Sequence, residues 1–488
     1  MEVKFTINQQ EYTIRPSEVP IDTSLLVYIR SYARQTGTKF MCLEGGCGAC
    51  IVNISGIITP AGVSRTIAVN SCLWPVYACD GLNVTTIEGI GNLKNGYHPV
   101  QKALYHFNGT QCGYCSPGMV MNMYSLLQAM DGKVSMQQVE NSFAGNLCRC
   151  TGYRPILDAF KSLASDSSTT DIEDLTLDLC RMNKNRKCSS EDRCHQECVS
   201  NRNTSLEINA DDGKVWLRPN SLSELLKIFT TKTMKSEYML VAGNTAHGVY
   251  RRSENISVFI DIKSIPELHT MKADESSLSF GGNVSLNELM DTLNGAATKC
   301  DKYTYGTELA KHIDLVATIP VRNAGTIAGN LSIKHAHPEF PSDIFLLLET
   351  IGAGLKIASV DGLVRTYSPQ EYLSLDMAQK VIISIVFPKL SPDQFLFRSY
   401  KIMPRTQNAH AMVNAAFLLE FETKDGKSAV KSCRICYGGI NPKFVHAEAT
   451  EKLLTGIDDF YTEEVLQEAI KSLQNEVQPD SVLPDPPA

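Results

Sequence analysis

No stretch of this 488-residue sequence approaches the roughly 18 uninterrupted apolar residues that a membrane-spanning helix requires. The best candidate, residues 119–130, is broken by Asn122 and Ser125, which excludes such a span. Runs of five or six like charges are also missing. The 46 Lys and Arg against 53 Asp and Glu leave a formal net charge of −7, which argues against a nucleic-acid or anionic-membrane partner. The N-terminus lacks the basic start and apolar core of a signal peptide, so the expected compartment is cytoplasmic. No Gly-x-Gly-x-x-Gly opens a βαβ unit, and a Rossmann nucleotide site therefore has no support. Internal repeats are absent.

The chain does have bulk and cysteine. Its length allows two to four domains at about 100–200 residues each, and 43% hydrophobic with 20% charged residues suits several ordinary cores. Sixteen cysteines in a reducing compartment point to metal ligands or reactive thiols before disulfides.

Residues 1 to about 85 read as short strands (3–7, 12–14, 50–54, 65–69, 83–86) and one helix opened by Asp22-Thr23-Ser24, a small α+β domain. From about 95 to 165 the period turns helical, with Pro117 and Pro155 placed as first-turn prolines. Residues 166–208 lose periodicity and read as a polar, partly disordered linker. After 209, strands alternate with amphipathic helices: strand 216–218, helix 221–229, strand 238–242, strand 257–262 and helix 286–293. Near 392 a meander begins (395–401, 409–421, 430–437), followed by helices 447–454 and 463–473 and a Pro-rich tail.

Cys42, Cys47 and Cys50 are separated by four and then two residues, with Cys72 further on. That is the plant-type spacing of a 2Fe–2S ferredoxin, where glycines let amides turn towards the cluster and four thiolates satisfy two irons. The competing reading, a structural zinc site, usually joins two close cysteine pairs. A second constellation is Cys112-Gly113-Tyr114-Cys115 with Cys148-Arg149-Cys150. Alone, it fits a redox dithiol or half of a zinc site equally well.

Taken together, the two sets, with Cys112 to Met119 and Asn146-Leu147-Cys148-Arg149-Cys150-Thr151-Gly152-Tyr153-Arg154-Pro155-Ile156, closely resemble the molybdenum hydroxylases, the xanthine dehydrogenase and aldehyde oxidase family. The resemblance runs over essentially the whole chain. It implies an α+β multidomain fold: a β-grasp ferredoxin-like 2Fe–2S domain (1–88), a helical-bundle 2Fe–2S domain (89–165), the linker (166–208), a non-Rossmann α+β FAD-binding domain (209–390), its C-terminal α+β subdomain (391–480, shortened by a final helix) and a tail (481–488). It implies one cluster on Cys42, Cys47, Cys50 and Cys72 and another on Cys112, Cys115, Cys148 and Cys150. In the family the latter lies nearer the molybdenum cofactor and the former hands electrons to flavin.

Leu240-Val241-Ala242-Gly243-Asn244-Thr245-Ala246-His247-Gly248 follows a strand, and Asn323-Ala324-Gly325-Thr326-Ile327-Ala328-Gly329-Asn330 forms a second Gly-Asn loop. Each is a candidate diphosphate cradle or a plain turn. The resemblance makes them FAD-binding loops, with Ser342 and Asp343 as a later polar pair, and Glu44 and Gly45 as positions reaching the flavin from the ferredoxin-like domain. His247 is either a flavin contact or a turn histidine. Val316 stands where family dehydrogenases place an aromatic over the flavin ring, and the segment 404–414 resembles aldehyde oxidases, without the dehydrogenases' acidic stretch and lysine. Both favour dioxygen over NAD as acceptor.

The family's molybdenum-binding part, with its catalytic glutamate, is not in these 488 residues, so no catalytic residue is assigned. The expected partner is a molybdenum-binding subunit or a full-length relative, with a homodimer as a further possibility. The rival readings are an NAD-reducing, xanthine-dehydrogenase-like module and a truncated, non-catalytic chain acting through a full-length relative. Cys79, Cys300, Cys433 and Cys436 are read as buried small hydrophobes. Cys180, Cys188, Cys194 and Cys198 are read as free thiols, with zinc binding beside His195 as the alternative.

Overall fold

Asn8 and Gln9 both take positive φ, 51° and 71°, and such a pair makes the tight turn whose twist suits a hairpin. It joins β1 (Val3–Ile7) to β2 (Gln10–Ile14). Ser24 then caps the short α1 (Leu25–Val27) by accepting from the Val27 amide. With β3 (Ile51–Ile57), β4 (Ser64–Asn70) and β5 (Asn83–Thr85) the sheet order is β2-β1-β5-β3-β4. The central β1–β5 pair is parallel and the others antiparallel. This is the small α+β domain expected.

The computed structural model describes residues 2–15, 18–60, 64–167, 204–233, 237–405, 408–424, 427–457 and 462–479. The chain divides near Trp216 into two compact units. Unit one continues through α2 (Ile87–Ile90), α3 (Pro99–His106), α4 (Ser116–Ala129), α5 (Met136–Ser142) and α6 (Arg154–Lys161). Pro117 and Pro155 sit in the first turns of α4 and α6, where their missing N–H costs nothing. Val100, Leu104, Met119, Met123, Val139, Ile156 and Phe160 fill the core between these helices, with Phe143 stacked on Phe160 at 4.9 Å.

The stretch expected to be linker from 166 to 208 is corrected at its end. There β6 (Leu206–Asn209) buries Leu206 and Ile208 and turns into β7 (Val215–Arg218), the Ala210 amide donating to the Lys214 carbonyl at 2.8 Å. Cys180, Cys188, Cys194, Cys198 and His195 lie outside the described residues.

Unit two opens with α7 (Leu222–Thr231), capped by Ser221, and the parallel pair β8 (Tyr238–Val241) and β9 (Val258–Asp261). Strands β10 (Met271–Ala273) and β11 (Leu278–Gly281) precede five helices: α8 (Leu286–Lys299), α9 (Gly306–Asp314), α10 (Ile319–Ala324), α11 (Ile327–Ala336) and α12 (Asp343–Ile351). Then come β12 (Gly354–Ser359), β13 (Val364–Tyr367), α13 (Pro369–Leu373) and β14 (Lys380–Phe387), giving an antiparallel sheet of order β10-β11-β14-β12-β13.

The meander follows as β15 (Phe395–Ile402), β16 (Val413–Lys424), β17 (Lys427–Gly438) and β18 (Val445–His446). The strand expected from residue 409 begins at Val413, and Arg405 donates to the Asn408 carbonyl ahead of it at 3.0 Å. Helices α14 (Glu448–Leu454) and α15 (Glu463–Glu476) complete a small core on this sheet. All nine residues of α12 are buried, and it packs against β16 and β17 as well as α9, α11 and α13. Among the described residues no helix is long and apolar enough to cross a membrane.

Candidate redox sites

The loop from Cys42 to Cys50 is curled by three left-handed residues, Leu43 (φ 59°), Gly45 (76°) and Gly48 (68°). The curl turns amides inwards: the Glu44 N–H lies 3.3 Å from the Cys42 sulfur. Cys42 is drawn down to about 5, first by its neighbour Cys47 and then by the amides of Glu44, Gly46 and Cys47, while Cys47 is pushed up by the same thiol contact. Cys50 and Cys72 form the second contacting pair, with Cys50 lowered and Cys72 raised by their mutual hydrogen bond. Behind them Asn70 accepts from Cys50 at 3.9 Å and donates to the Gly45 carbonyl at 3.3 Å. Glu44 is exposed and Gly45 buried.

The second set lies on either side of α4 and α6. Cys115 is the residue before α4, and Cys148 and Cys150 sit on the loop leading to α6. Cys112 and Cys150 sulfurs are 3.5 Å apart, and both residues are exposed. Cys115 touches Cys148; burial first, then that contact, pushes Cys115 up to about 12. Burial acts to raise Cys148 as well, but the Thr151 hydroxyl, 3.1 Å away, and the amides of Thr151 and Cys150 outweigh it and leave the thiol lowered. Tyr153, held at φ 73°, closes the loop by accepting from the Cys148 amide at 3.2 Å.

Each set of four thiols thus meets as two contacting pairs. Among the described residues no three His, Cys, Asp or Glu side chains are grouped as ligands of a single ion. Two pairs suit a two-iron cluster in which each iron takes two thiolates, and thiols this perturbed release their protons on binding metal.

The two glycine loops of unit two abut. A Cβ on Gly243 would lie 1.9 Å from the Ala324 carbonyl, and one on Gly325 would lie 3.2 Å from the Thr245 hydroxyl. Their donors differ. In the second loop the amides of Gly325, Ile327, Ala328 and Asn330 donate to the carbonyls of Val321, Val284, Gly282 and Thr326, and the Gly329 amide donates to the Thr326 hydroxyl. That loop therefore shapes a wall. In the first, Asn244 is left-handed at φ 56° and Thr245 and Ala246 open a 3₁₀ turn, whose leading amides have no partner within the turn.

His247 Nδ1 is buried with no hydrogen-bond partner, and burial, then the Arg252 charge, lowers this imidazole to about 4. An orphaned buried nitrogen beside the leading amides of a turn fits an anionic group such as the diphosphate of FAD.

Ser342 donates to Asn330 at 2.5 Å and caps α12. Asp343 is fully engaged: it receives His312 at 3.1 Å, Asn414 at 2.7 Å and Lys401 at 2.8 Å. Sequence reasoning missed His312, Lys401 and Asn414. The Val316 turn is held from two sides, by Lys401 on the Leu315 carbonyl at 2.9 Å and by Arg322 on the Asp314 and Val316 carbonyls at 2.7 and 2.8 Å. Cys79, Cys433 and Cys436 are buried as expected, whereas Cys300 is only partly covered, at the C-cap of α8.

Four family models match the chain: a 2Fe-2S iron-sulfur cluster binding domain over residues 5–76, a 2Fe-2S binding domain over 86–161, an FAD binding domain in molybdopterin dehydrogenase over 206–390, and a CO dehydrogenase flavoprotein C-terminal domain over 398–486. The chain is 33% identical to an indole-3-acetaldehyde oxidase of Arabidopsis thaliana, covering 100% of this chain and 38% of that protein. It is 30% identical to a xanthine dehydrogenase of Oryza sativa subsp. japonica, covering 89% of this chain and 35% of the relative. It thus spans less than two-fifths of either. Among solved structures, a carbon monoxide dehydrogenase from Hydrogenophaga pseudoflava lacking the Mo-pyranopterin moiety is similar at a TM-score of 0.45 and 23% identity, over 55% of this chain and 88% of that one.

Proposed function

The chain belongs to the molybdenum hydroxylase family, as its iron–sulfur and FAD portion, and from that premise we propose that it is the electron-transfer half of an aldehyde-oxidase-like enzyme. Electrons enter on the side of Cys112, Cys115, Cys148 and Cys150, cross to Cys42, Cys47, Cys50 and Cys72, and leave through FAD. Two 2Fe–2S clusters and FAD supply the redox chemistry when bound. The residues supply placement. The observation that carries this reading is the Leu147 amide donating to the Cys47 carbonyl at 2.9 Å. Leu147 adjoins Cys148, so one hydrogen bond joins a ligand of one set to the neighbour of a ligand of the other.

In this proposal hydroxylation of the substrate belongs to a molybdenum-binding polypeptide or segment outside these 488 residues. The acceptor is dioxygen, which takes two electrons and two protons to leave as hydrogen peroxide. Val316 in place of an aromatic, and Met412 within a segment free of the dehydrogenases' acidic stretch, support dioxygen over NAD.

The test is iron, acid-labile sulfide and FAD per purified chain, with the visible spectrum before and after dithionite. About four irons and one flavin, bleaching together, are expected. Iron without flavin refutes the relay to FAD for this chain alone, and NADH in place of peroxide on reoxidation refutes the acceptor.

A further inference from the structure

The two cysteine loops of unit one meet almost without side chains. A Cβ on Gly118, in α4, would lie 2.1 Å from the Gly48 carbonyl, and a Cβ on Gly48 would lie 2.5 Å from the Gly145 carbonyl. What holds this junction in register is a pair of buried asparagines. Asn122 and Asn146 are 2% and 5% exposed. Asn122 donates to the Ser142 carbonyl at 2.8 Å and to Asn146 Oδ1 at 2.7 Å. That fixes the Asn146 amide with its Nδ2 forward, where it donates to the Gly48 carbonyl at 3.3 Å.

Each end of this relay lies beside a cluster ligand. Gly48 follows Cys47, Asn146 precedes Leu147 and Cys148, and Asn122 stands two turns along the helix that Cys115 opens. The relay therefore runs alongside the Leu147-to-Cys47 bond and shares its backbone on both sides.

We propose that Asn146, aimed by Asn122, is a positioning residue that sets the electronic contact between the two clusters by holding the Cys47–Gly48 carbonyls against Leu147 and Cys148. The inference rests on the electron-relay reading and deepens it. The step concerned moves one electron, one cluster being oxidised and the other reduced, with no atom or proton transferred. The Asn146 side chain hydrogen-bonds to Asn122 and the Gly48 carbonyl and to no cysteine sulfur, so its loss changes the junction and leaves both ligand sets complete.

The test compares the parent chain with Asn146→Ala and Asn122→Ser, each purified with its clusters. Three quantities are read: iron per chain, the magnetic splitting between the two reduced clusters by electron paramagnetic resonance, and hydrogen exchange by mass spectrometry in the peptide containing Leu147. With iron and the individual g values unchanged, the splitting should shrink, and the Leu147 amide should exchange on the order of fivefold faster, the factor that loss of a neighbouring hydrogen bond brings. A merely structural asparagine would not move the splitting at constant iron. Unchanged splitting and exchange in both variants overturn the proposal. Should Asn146→Ala lose iron, Asn122→Ser decides, since the Asn122 side chain hydrogen-bonds to Asn146 and Ser142 and to no cysteine and no residue of the 42–50 loop. A parent chain without two clusters refutes the relay reading itself, which is a separate outcome.

Discussion

Lys401 on β15 places its ammonium 2.8 Å from the carboxylate of Asp343 at the start of α12, with side-chain exposures of 1% and 7%. His312 and Asn414 complete the carboxylate's shell. Burial acts to raise Asp343, but His312 and Lys401 together hold it below the usual carboxylate range. Replacing Lys401 by Met leaves a buried charge uncompensated, and the expected loss is about 3–5 kcal/mol in denaturant unfolding. The Lys401→Met/Asp343→Asn double variant should lose less than Lys401→Met alone. Because the folded pKa is depressed, the stability from Asp343 is present above the usual carboxylate range and is lost on acidification below it.

His247 gives a second pH signature at a milder range. Its folded pKa of about 4 lies below the ordinary histidine value near 6.5, so the unfolded chain binds the proton first as pH falls. Stability linked to this group is whole above pH 6.5 and declines as pH drops towards 4. Thermal melts between pH 7.5 and 5 should show a smaller decline in His247→Gln than in the parent. An equal decline would assign the effect to other histidines.

Glycine substitutions separate contact from open space. Gly118→Ala drives a methyl into the Gly48 carbonyl and should destabilise unit one by about 1–3 kcal/mol. A Cβ on Gly295, inside α8, would meet nothing within 4 Å. Gly295→Ala should therefore stabilise the chain by about 0.5–1 kcal/mol, read as a higher melting temperature.

The cysteine sets should fail independently. Cys72→Ser and Cys112→Ser should each lower iron by about two per chain and leave the other cluster's spectrum in place. Loss of all iron from either variant would mean that the sets assemble as one. Stripping the iron with a chelator should lower the melting temperature of unit one, since ligand binding and folding are linked.

Much of this was legible in the sequence because it is local. Cysteine spacing, the prolines that open α4 and α6, and Ser24 before α1 act within a few residues; the structure places the prolines and the cap as read and brings the cysteines of each set together as two contacting pairs. Helix α5 was legible but passed over: Ser135 and Gln138 form a capping box, while Val139 and Ser142 are its only buried residues and give little periodicity. Strand β6 was lost because Leu206 and Ile208 end a long polar stretch. Lys401, Asp343 and His312 were beyond reach for another reason. They are far apart in the chain, and buried charged residues look like surface ones until tertiary pairing brings them together. The second glycine loop shows the same limit, since only the fold reveals that its amides are already engaged by Val321, Val284 and Gly282.

Helix α12 has no solvent-facing side: every residue from Asp343 to Ile351 is buried, between the meander on one flank and α9, α11 and α13 on the other. Its apolar residues belong to a single core that also takes in Phe397, Ala416, Leu418 and Cys436 of the meander, so the two flanks share one fate. The short connection from β14 to β15 looks like a natural place to divide the polypeptide into a flavin-binding piece and a meander piece. Severing the gene there would strand the greasy flank of α12 on one fragment and its covering strands on the other. The two halves would then be soluble when co-translated and aggregation-prone when made apart, which makes this helix the boundary beyond which unit two cannot be subdivided.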